Sequence, residues 1–260
     1  IDIDPAEINK TVKIDAPVLG DINEVLKILN PKVNSQTHTE WLKEVEHLKA
    51  EHPSLLIPES ETLLGQQVIK TLSDLTNGNA VICTGVGQHQ MWAAQHYSFK
   101  KSSIWLSSGG LGTMGYEIPS AIGAQIGAPD KTVWSICGDG GFQMTVGELA
   151  TVAENNLPIK YAILNNNHLG MITQWQNMFY KGQNMQETYS GNPDFVKLAE
   201  AYGIKGIRVE SQEDLQKAIN EANNHDGPVV VDFVIEKVDY VYPMIPAGGS
   251  VDQLIEEETN

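Results

Sequence analysis

The sequence predicts an α/β protein: a doubly wound parallel six-stranded sheet with helices on both faces. Apolar runs of four to eight residues recur at 80–84, 103–106, 132–137, 159–164, 204–209 and 228–235. They are mostly continuous rather than alternating, as strands covered on both faces require. Stretches of helical periodicity fall between them, and such alternation closes into a parallel sheet. A third observation concerns the loops. Those after the first four runs are each rich in Gly, Asn or Asp, and ligands in such sheets bind at the carboxyl ends of strands.

In chain order, residues 1–57 read as a leftover strand and a linker region. Ile1-Asp2-Ile3-Asp4 alternates and stops at Pro5. Helical periodicity covers 21–29 and 39–52, with Thr39 a suitable N-cap, and Pro53 and Pro58 mark a boundary. Residues 58–235 carry the strand–helix alternation, with helices expected at 63–75, 88–95, 116–127, 146–155, 169–179, 193–201 and 212–224. Thr145-x-x-Glu148 has the form of a capping box opening the helix after Asp139. Residues 236–260 form a Pro- and Gly-containing tail with an acidic end. There is no internal repeat.

Net charge is −16, which argues against nucleic acid, whose binding needs clustered Lys and Arg. No apolar run approaches the roughly 20 residues of a membrane helix. The start at Ile1 has no initiator Met and no signal-peptide pattern, as expected for a piece of a longer or processed chain. Cys83 and Cys137 lie in apolar runs and read as small core residues, and sparse cysteine suits a reducing, cytoplasmic compartment. Thr132 to Ile159 and Tyr161 to Tyr180 contain no Lys or Arg. An anion bound there would be held by a metal ion and backbone N–H groups.

Gly138-Asp139-Gly140-Gly141 follows one apolar run, and Asn165-Asn166-Asn167-His168-Leu169-Gly170 follows the next. Each alone fits an ordinary turn. In a parallel sheet, however, strand ends one crossover apart are neighbours, so Asp139 and Asn166 can offer two oxygens to one ion and a loop carbonyl a third. Such a set suits Mg²⁺, which takes its other ligands from water and phosphates. It favours the backbone carbonyl of His168 over its ring. Thr84-Gly85-Val86-Gly87-Gln88-His89 also follows a strand and opens a helix, where N–H groups can meet a phosphate. It is neither the full dinucleotide fingerprint nor a Walker sequence. Ser108-Gly109-Gly110-Leu111-Gly112-Thr113-Met114-Gly115 reads as a flexible loop, with Met114 a core gap-filler on the plainer reading.

Gly138-Asp139-Gly140 with Asn165-Asn166 resembles the cofactor signature of thiamine-diphosphate enzymes. The closer resemblance is to the catalytic subunit of acetohydroxyacid (acetolactate) synthase. It rests also on residues 1–8, Gly85-Val86-Gly87-Gln88-His89-Gln90-Met91-Trp92, Gly109 to Gly115, His168-Leu169-Gly170-Met171 with Gln174-Trp175-Gln176, and Pro243-Met244-Ile245-Pro246. It covers essentially the whole chain. The resemblance implies condensation of pyruvate with a second 2-keto acid, such as pyruvate or 2-ketobutyrate, with loss of CO₂, in branched-chain amino-acid biosynthesis. It implies Mg²⁺ ligation by Asp139, Asn166 and the His168 carbonyl. Val86, Gly87, Gln88 and His89 would contact the diphosphate, with Gly138, Gly140, Gly141 and Gly170 giving close backbone contacts. Gly112 and Met114 would hold the aminopyrimidine end. Met171 and Trp175 would line the substrate pocket, unless Trp175 is packed as core. A loop from Gln176 to about Pro193 would close over the site.

The resemblance further implies that residues 1–57 are the end of a central domain and a linker. Most of that FAD-holding domain, and an N-terminal domain with the glutamate that activates the cofactor, would then lie outside these residues. Activity would need them, on the same or another chain. A homodimer or tetramer, a regulatory small subunit and a cytoplasmic (or organellar stromal or matrix) location are implied too. Glu117 stands where the family usually has Gly and reads as a first-turn acid favoured by the helix dipole. A non-catalytic thiamine-diphosphate-binding module is an alternative. A related pyruvate oxidase or keto-acid decarboxylase is another.

Overall fold

The computed structural model describes residues 1–53, 55–101, 104–183 and 191–256. The chain divides into two compact units, Ile1–Pro53 and residues 54–260. In the first, Asp2 and Leu19 form a single parallel bridge, the only pairing of the expected leftover strand among the described residues. Helix α1 (Ile22–Leu29) is capped by Asp21, whose carboxylate accepts from the N–H groups of Asn23 and Glu24. Helix α2 (Thr39–Glu51) starts one residue earlier than a Thr39 cap would allow: His38 is the cap residue, and the Thr39 hydroxyl donates to Thr37. Neither helix buries a residue.

The second unit is built on a six-stranded all-parallel sheet. Its elements are α3 (Gly65–Leu75), β1 (Val81–Thr84), α4 (Gln88–His96), β2 (Trp105–Ser107), α5 (Glu117–Gly127), β3 (Val133–Gly138), α6 (Asp139–Met144), α7 (Leu149–Glu154), β4 (Lys160–Asn165), α8 (Gly170–Phe179), α9 (Phe195–Ala201), β5 (Lys205–Val209), α10 (Gln212–Asn223) and β6 (Val229–Val234). Strand order is β2-β1-β3-β4-β6-β5. Ser103, placed in the second strand by its sequence, lies outside the described residues.

Alternate residues along each strand supply two separate cores. Ile82, Trp134, Ile136, Ala162, Val229 and Val231 meet α3, α4 and α10 on one face. Val81, Cys83, Val133, Cys137, Tyr161 and Val230 meet α5, α7 and α9 on the other. Cys83 and Cys137 are buried free thiols, and burial pushes the Cys83 thiol up to about 12. Among the described residues no helix is long and apolar enough to cross a membrane.

The segment after β3 differs from its sequence reading. Helix α6 begins at Asp139 itself, and a 3₁₀ turn (Val146–Glu148) separates it from α7. Thr145 caps nothing, because its hydroxyl donates to the Gly115 carbonyl at 2.8 Å. Two glycines disfavour helix locally, but tertiary packing overrides them. Phe142 is fully buried and packs edge-on against Tyr161 and Phe195, which pins α6 to the sheet. Helix α9 likewise starts later than expected, at Phe195, with Asp194 accepting from Val196 and Lys197 N–H as its cap.

Candidate functional site

Sequential strands run outward in one direction from β1 to β2 and in the other from β3 onward, so the order reverses between β1 and β3. Loops leave the carboxyl ends of those two strands in opposite directions and open a crevice. A cleft of about 490 Å³, including solvent at its mouth, lies there. It is lined by Val86, Gly87, Gln88 and His89 after β1, by Met114, and by Gly138, Asp139, Gly140 and Gly141 after β3. Asn166, His168, Gly170 and Met171 after β4 line it as well. Trp92, Leu164, Leu169, Ile172 and Ile235 also line it; Leu164, Ile172 and Ile235 are apolar residues that no motif singled out.

Asp139 is 2% exposed and is the one acid lining this cleft among the described residues. One carboxylate oxygen accepts from Gly140 N–H at 2.8 Å and the other from the Asn192 amide at 2.8 Å. Burial pushes its pKa up to about 6, and these hydrogen bonds only partly offset that. A carboxylate has about four acceptor sites, so capacity remains for a cation. Asn166 is also buried; its side-chain oxygen accepts from the His168 N–H at 3.1 Å and keeps a second lone pair. The His168 ring is 2.8 Å from the Asn166 carbonyl through Nδ1, which turns that nitrogen to a structural bond. No cluster of three His, Cys, Asp or Glu exists among the described residues. One carboxylate, one amide oxygen and loop carbonyls form a hard, all-oxygen donor set that fits Mg²⁺ rather than zinc.

His89 and Gln88 open α4 beside this cleft. His89 is buried, and burial drives its pKa down to about 4, so the ring is neutral. Its Nε2 has no hydrogen-bond partner among the described residues, and its Nδ1 side packs where a Cβ on Gly138 would stand, 2.9 Å away. A neutral, unpartnered ring nitrogen on a cleft wall can donate to a phosphate oxygen. Gln88 is different. Its amide nitrogen donates to Gln174 at 3.0 Å and to the Asp239 carbonyl at 2.6 Å, and its oxygen fills the space a Cβ on Gly170 would need. The side chain is therefore committed, and what Gln88 can offer a ligand is its backbone N–H in the first turn of α4.

Two expected residues stand apart from this cleft. Gly112 is exposed in the loop after β2, in a left-handed conformation (φ 66°). Trp175 is 37% exposed and is not core; it stacks edge-on against Phe179 and lines a neighbouring groove with Met171, Ile172, Gln176, Tyr180 and Gln183. Met171 and Ile172 line both cavities. The stretch that sequence assigned to a closing loop begins as helix: Gln176 to Phe179 belong to α8, and residues 184–190 lie outside the described residues.

Glu117 departs most from its sequence reading. It is fully buried at the start of α5 rather than solvated at a helix end. The N–H groups of Gly115 and of Glu117 itself face the carboxyl without reaching hydrogen-bond geometry, so both oxygens lack a partner among the described residues. Burial lifts its pKa to about 7. The carboxyl occupies the space that side chains at Gly85 and Gly141 would need: a Cβ on Gly85 would overlap Oε2, and one on Gly141 would stand 2.6 Å from Oε1.

A crevice at the β1/β3 reversal, walled by glycine loops and one buried acid, is the ligand-binding position of a doubly wound α/β protein. Residues 85–233 match the family described as thiamine pyrophosphate enzyme, C-terminal TPP binding domain, and the chain belongs to that family. It is 47% identical, over 96% of its length, to the acetolactate synthase large subunit of Corynebacterium glutamicum. It is 44% identical over 97% to the acetolactate synthase of Mycobacterium leprae, and 43% over 99% to the chloroplastic acetolactate synthase 1 of Nicotiana tabacum. The chain spans 40–42% of the length of these three relatives.

Proposed function

We propose that this chain binds thiamine diphosphate with Mg²⁺ and supplies the diphosphate and metal half of an acetolactate synthase site. The observation that carries this reading is the pairing of a buried acid and a neutral imidazole with an unpartnered Nε2 among the described residues, Asp139 and His89, lining one cleft. Asp139, Asn166 and the His168 carbonyl hold the metal. His89 Nε2–H and the backbone N–H groups of residues 86–88 bind the diphosphate, and Met114 supports the rest of the cofactor. When bound, the cofactor supplies the carbanion that condenses pyruvate with a second 2-keto acid. The protein's own contribution is to orient, to exclude water and to neutralise charge. Met171 lies at the junction of the cleft with the Trp175 groove, which is the place for the second keto acid. In this reading residues 58–235 are the cofactor domain, and 1–57 belong to the end of a preceding one. In this reading FAD, subunit association and a regulatory partner would involve segments outside these residues.

Titrating thiamine diphosphate calorimetrically with and without Mg²⁺ tests the reading. Metal-dependent binding that disappears in Asp139→Ala supports it. Binding indifferent to both metal and Asp139 overturns it. A second reading, a binding module without turnover by itself, is favoured by the cleft holding no second acid among the described residues. Acetolactate formation by the chain alone would eliminate that reading.

A further inference from the structure

Behind Asp139 runs a continuous line of polar contacts, buried at Asn165 and Asp232 and part-buried elsewhere. The Asn192 amide donates to Asp139 Oδ2 at 2.8 Å and to Asn165 Oδ1 at 3.1 Å. Asn165 in turn donates to Asp232 at 2.9 Å, and Arg208 Nε donates to the other Asp232 oxygen at 3.2 Å. On the near side, the Gln143 amide donates to Asn192 Oδ1 at 2.9 Å and to the Asp139 carbonyl at 3.2 Å. Asn192 is therefore held from both sides: its oxygen accepts from α6 and its nitrogen bridges the ends of β3 and β4. Asp232 is 1% exposed, and its charge has a guanidinium partner, so the far end of the line is fixed rather than free to rotate.

We propose that Asn192 is a positioning residue for the metal site, its amide fixing the rotation of the Asp139 carboxylate so that the remaining lone pairs face the cleft. This rests on the metal reading above. Its physical basis is that a carboxylate can spin about its last bond, and a ligand held by an outer hydrogen bond binds without that cost. Removal of such outer partners typically weakens metal binding about 10–100-fold. The donor is placed from a segment 53 positions away from Asp139 and outside the motif that names the site.

Mg²⁺ is titrated calorimetrically into the whole chain at saturating thiamine diphosphate, comparing wild type with Asn192→Leu, which has the same size and no donor. The expected result is a Mg²⁺ dissociation constant weakened about tenfold or more in a variant whose metal-free chain still unfolds cooperatively. Asn192→Ser, too short to reach Oδ2, should give the same loss without adding an apolar group, and covers the case in which the Leu variant does not fold. Asn223→Leu is the control, an amide-to-leucine change that cuts the Trp134 indole bond at the other end of the sheet; it should leave the Mg²⁺ affinity untouched. Wild-type Mg²⁺ affinity in both Asn192 variants overturns the proposal. If Asp139→Ala abolishes metal binding while the Asn192 variants retain it, only the positioning role fails. If wild type itself binds without metal, the reading it rests on fails and takes this proposal with it.

Discussion

Asp139 and Glu117 are both buried acids at the carboxyl end of the sheet, and the protein treats them in opposite ways. Asp139 opens α6 with a backbone N–H on one oxygen and the Asn192 amide on the other, and it lines the cleft. Glu117 opens α5 with neither oxygen satisfied among the described residues, and it faces Gly85 and Gly141 from behind the loops. Burial raises both pKa values, Asp139 to about 6 and Glu117 to about 7. The difference lies in what can relieve the burial. A cation entering the cleft can stabilise ionised Asp139. Glu117 has no such route and stays protonated to a higher pH, filling space between two loops whose glycines leave room for it.

The largest effect expected from this contrast concerns Glu117→Gln. The folded pKa is raised above the ordinary value of 4.5, so the folded state holds the proton more tightly and stability falls as pH rises from about 4.5 through 7. Above pH 7 the loss is complete, roughly 3 kcal/mol for this shift. The amide keeps the shape and never ionises. Urea unfolding of wild type and Glu117→Gln should give nearly equal stability at pH 4.5 and a variant more stable by up to that amount at pH 8. Parallel pH profiles would show that Glu117 is not the buried acid described here.

Gly85→Ala comes next. Its Cβ would overlap Glu117 Oε2, and overpacking of this kind costs about 1–3 kcal/mol. Glu117→Ala empties that space, so Gly85→Ala should cost markedly less in the Glu117→Ala background. A double-mutant cycle in denaturant reads the coupling, expected at about 1–2 kcal/mol. Additive costs would mean that the glycine serves backbone conformation alone.

For Asp139 the contrast predicts a pH dependence of opposite use. A protonated carboxyl is a poor cation ligand, so Mg²⁺ affinity should fall as pH drops through about 6, roughly tenfold between pH 7 and pH 5. Calorimetry in buffers of differing ionisation enthalpy should also detect proton release on metal binding near pH 6. A pH-independent affinity over that range would place the metal on groups other than Asp139.

The two acids also show how far sequence carried. The sheet was legible because its strands are covered on both faces and read as unbroken apolar runs such as 159–164 and 228–235. Most of the cleft was legible too, because Gly, Asn and Asp cluster on loops that the parallel topology gathers at one edge. What escaped depended on tertiary contacts. Gly138-Asp139-Gly140-Gly141 looks like a turn, and only the burial of Phe142 makes it a helix. Glu117 looks like a solvated helix-end acid, and nothing local says that Gly85 and Gly141 make a cavity for it. Asn192 carries no periodic or motif signal; its role comes from the closeness of β3, β4 and α9 in space. Trp175 was ambiguous because an aromatic in a helix fits core and groove equally well, and its 37% exposure decides for the groove.

Tyr161 supplies the smallest effect and separates an orphan that fills space from one that titrates. Its ring packs edge-on against Phe142 beneath α6, and its hydroxyl is buried without a partner among the described residues. Burial raises its pKa well above the usual tyrosine value, so it is uncharged at any pH where Glu117 titrates. Tyr161→Phe removes an unsatisfied oxygen and leaves the ring contact, and should stabilise the chain by about 1 kcal/mol, equally at pH 5 and pH 8. Glu117→Gln should differ between those two pH values. If Tyr161→Phe instead destabilises, the hydroxyl has a partner, a buried water being the simplest. The same possibility would then apply to Glu117, whose pKa would lie nearer the ordinary carboxylate range and whose pH slope would shrink accordingly.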